Sequence, residues 1–274
     1  MRTSAGEFVR GARRVVAVIP ARMDSSRFPG KPLAPLLGRP MVEHAARRAA
    51  MCETLDAVYV ATCDEEIRAA AEGFGVEVLM TSPAHERASD RVAEAAESFE
   101  ADVVVMIQGD EPMVTPGMIE AAVAPLFEDA SLACVNLARK VVRREDYEDP
   151  NTVKVVTDAR GDALYFSRSP IPAGAFAPGS PDGVPVYKQV CVIPFRRDFL
   201  REFARLAPTP LERAESVDML RAVEHGRRVR MVLTEAETHA VDTPEDLRLV
   251  ESLMKDDPLV PLYEATRALA GRRA

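Results

Sequence analysis

The strongest constraint on the fold is a rhythm in the first half of the chain. Short β-branched runs alternate with stretches of helical spacing. Val15-Val-Ala-Val-Ile19 reads as a buried strand, and Pro40 to Met51 as the helix after it. Ala57 to Ala61 and Val76 to Met80 read as the second and third strands, with helices at Glu65 to Glu72 and Ser89 to Phe99. Asp102 to Ile107 is the fourth strand. Its helix runs from Pro116 to Phe127, with proline at the first helical position, where a missing N–H costs nothing. Strands of this length separated by such helices indicate βαβ units and a parallel sheet. The strand runs are continuously apolar rather than alternating, as expected when helices cover both faces of the sheet.

After about residue 130 the rhythm changes. Leu132 to Ala138, Val153 to Thr157, Ala163 to Ser167 and Val186 to Ile193 are strand-like, without long helices between them. Ser169 to Pro185 is rich in Pro, Gly and Ala and reads as a loop or arm. Helical spacing returns at Arg197 to Leu206 and at Leu211 to His225, which Gly226 closes. Val229 to Leu233 is a late strand, and Thr243-Pro-Glu-Asp opens a final helix with an N-cap and proline at N1.

Composition narrows the functional classes. A chain of 274 residues with 47% hydrophobic content buries a sizeable core without disulfides. Lys and Arg number 35 against 43 Asp and Glu, a net charge of −8, which argues against a nucleic-acid partner. No run of about 18 apolar residues is present, so no membrane partner is expected. Met1 to Arg14 is charged and lacks the apolar stretch of a secretory leader. Cys52, Cys63, Cys134 and Cys191 lie too far apart for zinc pairs and read as reduced thiols in a cytoplasmic protein. The four histidines are scattered and read as surface or helix-end residues.

Against that acidic total, one loop is locally basic. Ile19-Pro-Ala-Arg-Met-Asp-Ser-Ser-Arg-Phe-Pro-Gly-Lys-Pro-Leu33 follows the first strand, at the carboxyl end where open α/β sheets bind ligands. It presents Arg22, Arg27 and Lys31, with Ser25, Ser26 and Gly30 between them. Several cations and close backbone N–H groups suit a polyphosphate, although the same residues also make a solvated basic loop. It is neither a Walker loop nor a GxGxxG turn. At the end of the fourth strand, Met106-Ile-Gln-Gly-Asp-Glu-Pro112 offers Asp110 to a hard cation beside phosphates, or to a turn as its cap. Asp242, in Ala240-Val-Asp-Thr-Pro-Glu-Asp-Leu247, has the same two readings.

These strings resemble the 3-deoxy-manno-octulosonate cytidylyltransferase family. The loop matches its xIPARxxSxRxPGKPL signature, and the other two match its VQGDEP and GVDTPEDL segments. Two further stretches are similar to it: Val153 to Pro172, with Lys154 and the ALYFSR run, and Pro208 to Arg221. The resemblance covers most of residues 14 to 255. It implies a three-layer, nucleotide-diphospho-sugar-transferase-like (Rossmann-like) α/β fold with a mostly parallel sheet. It also implies a β-rich dimerisation insertion at about 135–195, a tail at 1–13 and an extension at 256–274. The implied reaction is CTP plus an acid giving CMP-acid plus pyrophosphate. By carry-over, Arg22, Ser25, Ser26, Arg27, Lys31, Ser89, Arg91 and Gln108 bind the nucleotide. Asp110 and Asp242 hold Mg²⁺, and with Arg22 and Lys31 they form the catalytic set. Gln108, Arg168, Gln189 and Glu212 meet a small acidic acceptor.

The chain departs from the family in places. Ala240 replaces a Gly, and Met219 a Gln. Arg87 and Ala88 stand where the family's DHxSGTER stretch has Ser-Gly, and an added arginine there favours a more anionic ligand. In Tyr187 to Arg196, Gln189 replaces the family's acceptor-contacting His, Cys191 its Gly and Ile193 its first Tyr. Glutamine donates and accepts but carries no charge. The altered wall leaves open another ulosonate, or a smaller acid such as a phosphonate. A glycosyltransferase would have no γ-phosphate for the loop cations to hold, and an inactive binder would not need both aspartates.

Overall fold

The computed structural model describes residues 13–25, 27–176 and 184–264. Expectations for Ser26, the tail up to residue 12, the arm at 177–183 and the end of the extension at 265–274 lie outside the described residues.

From β1 (Val15–Pro20) the chain runs through the basic loop to a small ribbon, β2 (Pro35–Leu36) and β3 (Arg39–Pro40), then into α1 (Met41–Ala50). It alternates through β4 (Ala57–Thr62), α2 (Glu65–Gly73), β5 (Glu77–Met80), α3 (Ala88–Ala95), β6 (Val103–Ile107) and α4 (Pro116–Glu128). Next come β7 (Val135–Lys140), α5 (Arg144–Glu148), β8 (Lys154–Thr157), β9 (Ala163–Ser167), β10 (Tyr187–Val190) and β11 (Val192–Arg196). The last elements are α6 (Arg197–Arg205), α7 (Pro210–Glu215), α8 (Met219–Glu224), β12 (Arg230–Leu233), α9 (Pro244–Met254) and α10 (Val260–Glu264).

One sheet has the order β11-β6-β1-β4-β5, parallel except for β11. Val15, Ala17 and Ile19 face a core shared with Val42 and Ala46 of α1 and Ile119 of α4. Val16 and Val18 face a second core with Val92 of α3 and Phe203 of α6. Covering both faces explains why β1 is apolar at every position. The chain leaves β1 toward β4 and β5 but returns on the other side as β6. That reversal opens a crevice at the carboxyl ends of β1 and β6, the place where such sheets take ligands.

The second sheet has the order β12-β7-β10-β8-β9. It draws β12 from beyond the expected insertion, pairing it parallel to β7. The run Val186 to Ile193, read as one strand, is two. β10 pairs with β7 and β8 in the second sheet, while β11 pairs with β6 in the first. Cys191 is the step between sheets, and apolar residues on both sides hide it in the sequence.

Leu211 to His225, read as one helix, is also two. Glu212 caps the start of α7 by accepting the Thr209 N–H at 3.2 Å. Ser216 at φ 54° is left-handed, so no α-helix passes through it. α8 ends as expected at Gly226, with Gly226 N–H donating to Val223 and Arg227 N–H to Ala222. Past residue 255 the described chain lies against α1: Arg48 pairs with Asp257 at 2.6 Å, and His44 Nδ1 meets the Tyr263 hydroxyl at 2.8 Å.

Candidate active site

The basic loop is closed by its own backbone. Gly30 N–H donates to Met23 O at 3.0 Å, and Gly30 takes φ 73°, where a side chain would be strained. Lys31 follows at once, at the start of a single 3₁₀ turn. Its Nζ donates to Asp110 Oδ2 at 2.7 Å, to Val241 O at 2.8 Å and to Asp242 Oδ1 at 3.4 Å. Burial lowers the Lys31 pKa, but the two carboxylates outweigh it and hold the ammonium above its ordinary value.

The two aspartates come from distant segments. β6 delivers Gln108 and Asp110, with Gln108 N–H donating to Cys191 O at 3.1 Å. A Cβ on Gly109 would sit 3.4 Å from both Ile19 Cγ2 and Pro20 O, so the turn lies hard against the end of β1. Val241 N–H donates to Asp110 O at 2.9 Å, which sets Asp242 beside Asp110. Asp246, in the capping box of α9, takes the backbone N–H of Asp242 and of Thr243. The Asp242 side chain is left for Lys31 and for Arg27, whose Nη2 lies 2.9 Å away. The other end of the Arg27 fork donates to Asn151 Oδ1.

Asp110 Oδ1 is buried without a hydrogen-bond partner among the described residues. An unsatisfied buried oxygen costs about 1–3 kcal/mol, more when charged, unless a donor or cation meets it. The orphaned oxygen therefore fits a hard cation. Among the described residues no cluster of three or more His, Cys, Asp or Glu side chains forms a complete cage. Two carboxylates suit a cation that takes its other ligands from water and substrate phosphates.

Two cavities meet at this point. One, of about 360 Å³, is lined by Arg22, Ser25, Arg27, Lys31, Arg91 and neighbouring residues. The other, of about 430 Å³, is lined by Arg168, Lys188, Gln189, Glu111, Arg143 and neighbouring residues. Arg27, Gln108, Asp110, Ser216 and Asp242 line both.

Not every expected site residue faces a cavity with a free side chain. Glu212 is 1% exposed and is held by Arg221, with Nη2 to Oε1 at 2.6 Å and Nε to Oε2 at 2.9 Å. It stands behind the wall, because its capping role and its ion pair turn it inward. Ser89 is fully buried, and its hydroxyl donates to Asp218 at 2.7 Å. The Arg168 fork is spent on the carbonyls of Glu215, Pro150 and Ser216 at 2.7, 3.1 and 3.4 Å, although the residue lines the larger cavity. Arg87 does not offer a free charge: it donates to Ser216 Oγ at 2.7 Å and faces Glu212 and Asp218 at 3.8 and 3.9 Å.

Other residues of the site carry no local signal. Burial pushes the Glu111 carboxyl up to about 7, against a hydrogen bond from the Thr238 hydroxyl. Burial likewise lowers the Lys188 ammonium, with Glu111 opposing it. Asp218 is raised by burial as well. Glu111, Lys188 and Asp218 sit inside strings already singled out, but nothing in those strings announces their burial. Asn151, Lys188 and Asp218 are assembled by tertiary contacts.

A family model described as Cytidylyltransferase matches residues 16–233. A 3-deoxy-manno-octulosonate cytidylyltransferase of Geobacter metallireducens is 47% identical over 253 residues, covering 88% of this chain and 98% of the relative. One of Geobacter sulfurreducens is 45% identical over 251 residues, covering 88% and 99%. A solved CMP:2-keto-3-deoxy-manno-octonic acid synthetase in complex with CTP is 38% identical, with TM-score 0.81, covering 88% of this chain and 98% of its own. A cytidylyltransferase structure from Leptospira borgpetersenii, 16% identical with TM-score 0.60, covers 96% and 98% and shares the fold. With the geometry above, these matches define an α/β nucleotidyltransferase, an enzyme. Within that class, the chain belongs to the 3-deoxy-manno-octulosonate cytidylyltransferase family. No helix among the described residues is long and apolar enough to cross a membrane.

Proposed function

We propose that the protein transfers CMP from CTP to a 3-deoxy-manno-octulosonate-like sugar acid and releases pyrophosphate, with Mg²⁺ held by Asp110 and Asp242. The observation that carries this reading is the meeting of the two cavities at Arg27, Gln108, Asp110 and Asp242. A nucleotide in the smaller cavity and an acid in the larger one would bring the acceptor hydroxyl and the α-phosphate together at those residues.

In this scheme Arg22, Arg27 and Lys31 hold the β- and γ-phosphates, with Ser25 and Arg91 on the same wall. The acceptor oxygen bonds to the α-phosphorus as the bond to the β-phosphate oxygen breaks, and the cations stabilise the leaving pyrophosphate. Holding two substrates in line replaces a bimolecular encounter, and no covalent nucleophile is needed. A divalent cation held by Asp110 and Asp242 would supply charge for the α-phosphate and would lower the pKa of the attacking hydroxyl. Gln108 and Gln189 orient the acceptor, and Arg168 and Lys188 supply positive charge around its acid group.

The test is pyrophosphate release across CTP and UTP, each with the octulosonate and with simple phosphonate acids. Turnover with CTP and the octulosonate is expected. Turnover only with a phosphonate would replace the acceptor, and turnover with neither acid would sink the reading. The active unit is proposed to be a homodimer joined through the second sheet, whose edge strand β9 exposes Leu164, and light scattering would measure its mass. A cytoplasmic location is consistent with four free thiols.

A further inference from the structure

We infer that Asn136 is a positioning residue that fixes the polarity of the Gln189 amide, so that Gln189 offers its Oε1 to a hydroxyl of the acceptor. The inference rests on the proposed reading of the larger cavity as the acceptor site, and it narrows the acceptor to a polyhydroxy acid.

The argument is a chain of hydrogen-bond polarities. Asn136 lies on β7 and is fully buried. Its Nδ2 donates to Leu137 O at 2.9 Å and to Val190 O at 2.8 Å. Both partners are carbonyls, which only accept, so the nitrogen must face them and the amide cannot be turned over. Its Oδ1 is thereby aimed at Gln189, whose Nε2 lies 2.6 Å away. Oδ1 also only accepts, so Gln189 must meet it with an N–H. Asn136 and Gln189 are diagonal neighbours on paired strands, because Gln189 stands opposite Ala138.

Two backbone carbonyls thus set Asn136, and Asn136 sets Gln189. The Gln189 side chain lines the larger cavity, and its Oε1 accepts no hydrogen bond among the described residues. An accepting oxygen takes a hydroxyl and repels an anion. The acid group of the substrate is then drawn to the cationic side of the cavity, near Arg168 and Lys188, and Gln189 reads a hydroxyl at a distance from it. A simple phosphonate has no such hydroxyl to give.

The test is steady-state pyrophosphate release with CTP and 3-deoxy-manno-octulosonate. Asn136→Ala is expected to raise the KM for the acid about tenfold, with the KM for CTP unchanged within about twofold. Gln189→Ala should do the same, and the double variant should be no worse than Gln189→Ala alone. Gln189→His leaves Asn136 in place and offers one N–H and one accepting nitrogen. It should hold the acid KM within about threefold of the parent. The inference is overturned if Asn136→Ala raises both KM values together, or leaves the acid KM unchanged while Gln189→Ala raises it. It is also overturned if Gln189→His is as poor as Gln189→Ala. If Gln189→Ala leaves the acid KM unchanged, or the parent turns over no sugar acid, the reading of the cavity itself fails first.

Discussion

Lys31 Nζ lies 2.7 Å from Asp110 Oδ2, while the second oxygen of that carboxylate is buried with no partner among the described residues. A cation from the basic loop therefore rests on the carboxylate proposed to hold the metal. The same ammonium reaches Asp242 at 3.4 Å. With Arg27 Nη2 also 2.9 Å from Asp242, two cations of the basic loop already face the two carboxylates. Binding a metal–nucleotide complex would draw Lys31 toward phosphate oxygens and leave the carboxylates to the metal.

Lys31→Met, Asp110→Asn and Asp242→Asn are each expected to lower kcat/KM by about 10²–10³, the usual loss when a preorganised charge is removed from a reacting centre. Chelating divalent ions should stop pyrophosphate release, and added magnesium should restore it. Asp110→Asn should not recover with excess magnesium. Turnover in chelator, followed by a coupled pyrophosphate assay, would remove the metal assignment.

Arg221 is 2% exposed and clamps both oxygens of Glu212, while its Nη1 reaches Asp90 at 2.7 Å. Arg221→Met would leave the buried Glu212 only the distant Arg87, at 3.8 Å, as a cation, at a cost of up to about 3–5 kcal/mol read from a urea unfolding curve. Glu212→Gln, assayed well below its melting temperature, should leave the acid KM unchanged within about twofold, since Glu212 faces Arg221 and not the cavity. An acid KM raised tenfold in that variant would return Glu212 to the acceptor wall.

Arg87 joins the wall of the smaller cavity to Ser216 at the elbow between α7 and α8. With its fork engaged, it should add little to nucleotide affinity. Arg87→Ser is expected to keep the CTP KM within about threefold and to lose about 1 kcal/mol of stability with the Ser216 hydrogen bond. A much larger rise in the CTP KM would mean that the guanidinium leaves Ser216 for the nucleotide.

The reach of the sequence follows from where the information lies. β1, β4, β5 and β6 are readable because each is a short apolar run beside a helix. Arg22, Arg27, Lys31 and Asp110 are readable because strand ends concentrate them in short strings, and Asp242 because it stands directly before a helix with a clear N-cap. The step at Cys191 and the elbow at Ser216 are not, since one depends on which sheet is nearby and the other on a single left-handed residue. Asn136 and Asn151 carry no signal at all, because each is defined by a partner far along the chain. Glu212 shows the converse: a residue inside a matching string can still turn inward, toward Arg221 and away from the cavities.

The C-terminal segment makes the stability of the fold depend on pH through His44. That imidazole is fully buried. Its Nε2 lies 2.7 Å from Leu36 O and must donate to it, so Nδ1 accepts from the Tyr263 hydroxyl. Burial lowers its pKa; the Leu36 carbonyl opposes the shift and the Arg48 charge adds to it. The unfolded imidazole takes a proton near its ordinary value of about 6.5, whereas the folded one resists to lower pH. Stability from this group is thus complete above about pH 6.5 and is lost below it, by up to about 1.4 kcal/mol per pH unit. His44→Gln removes the titration. The parent should be the more stable protein at neutral pH, and the gap measured by urea unfolding should narrow toward about pH 5.5. A gap that stays constant with pH would show that the buried imidazole does not couple protonation to unfolding.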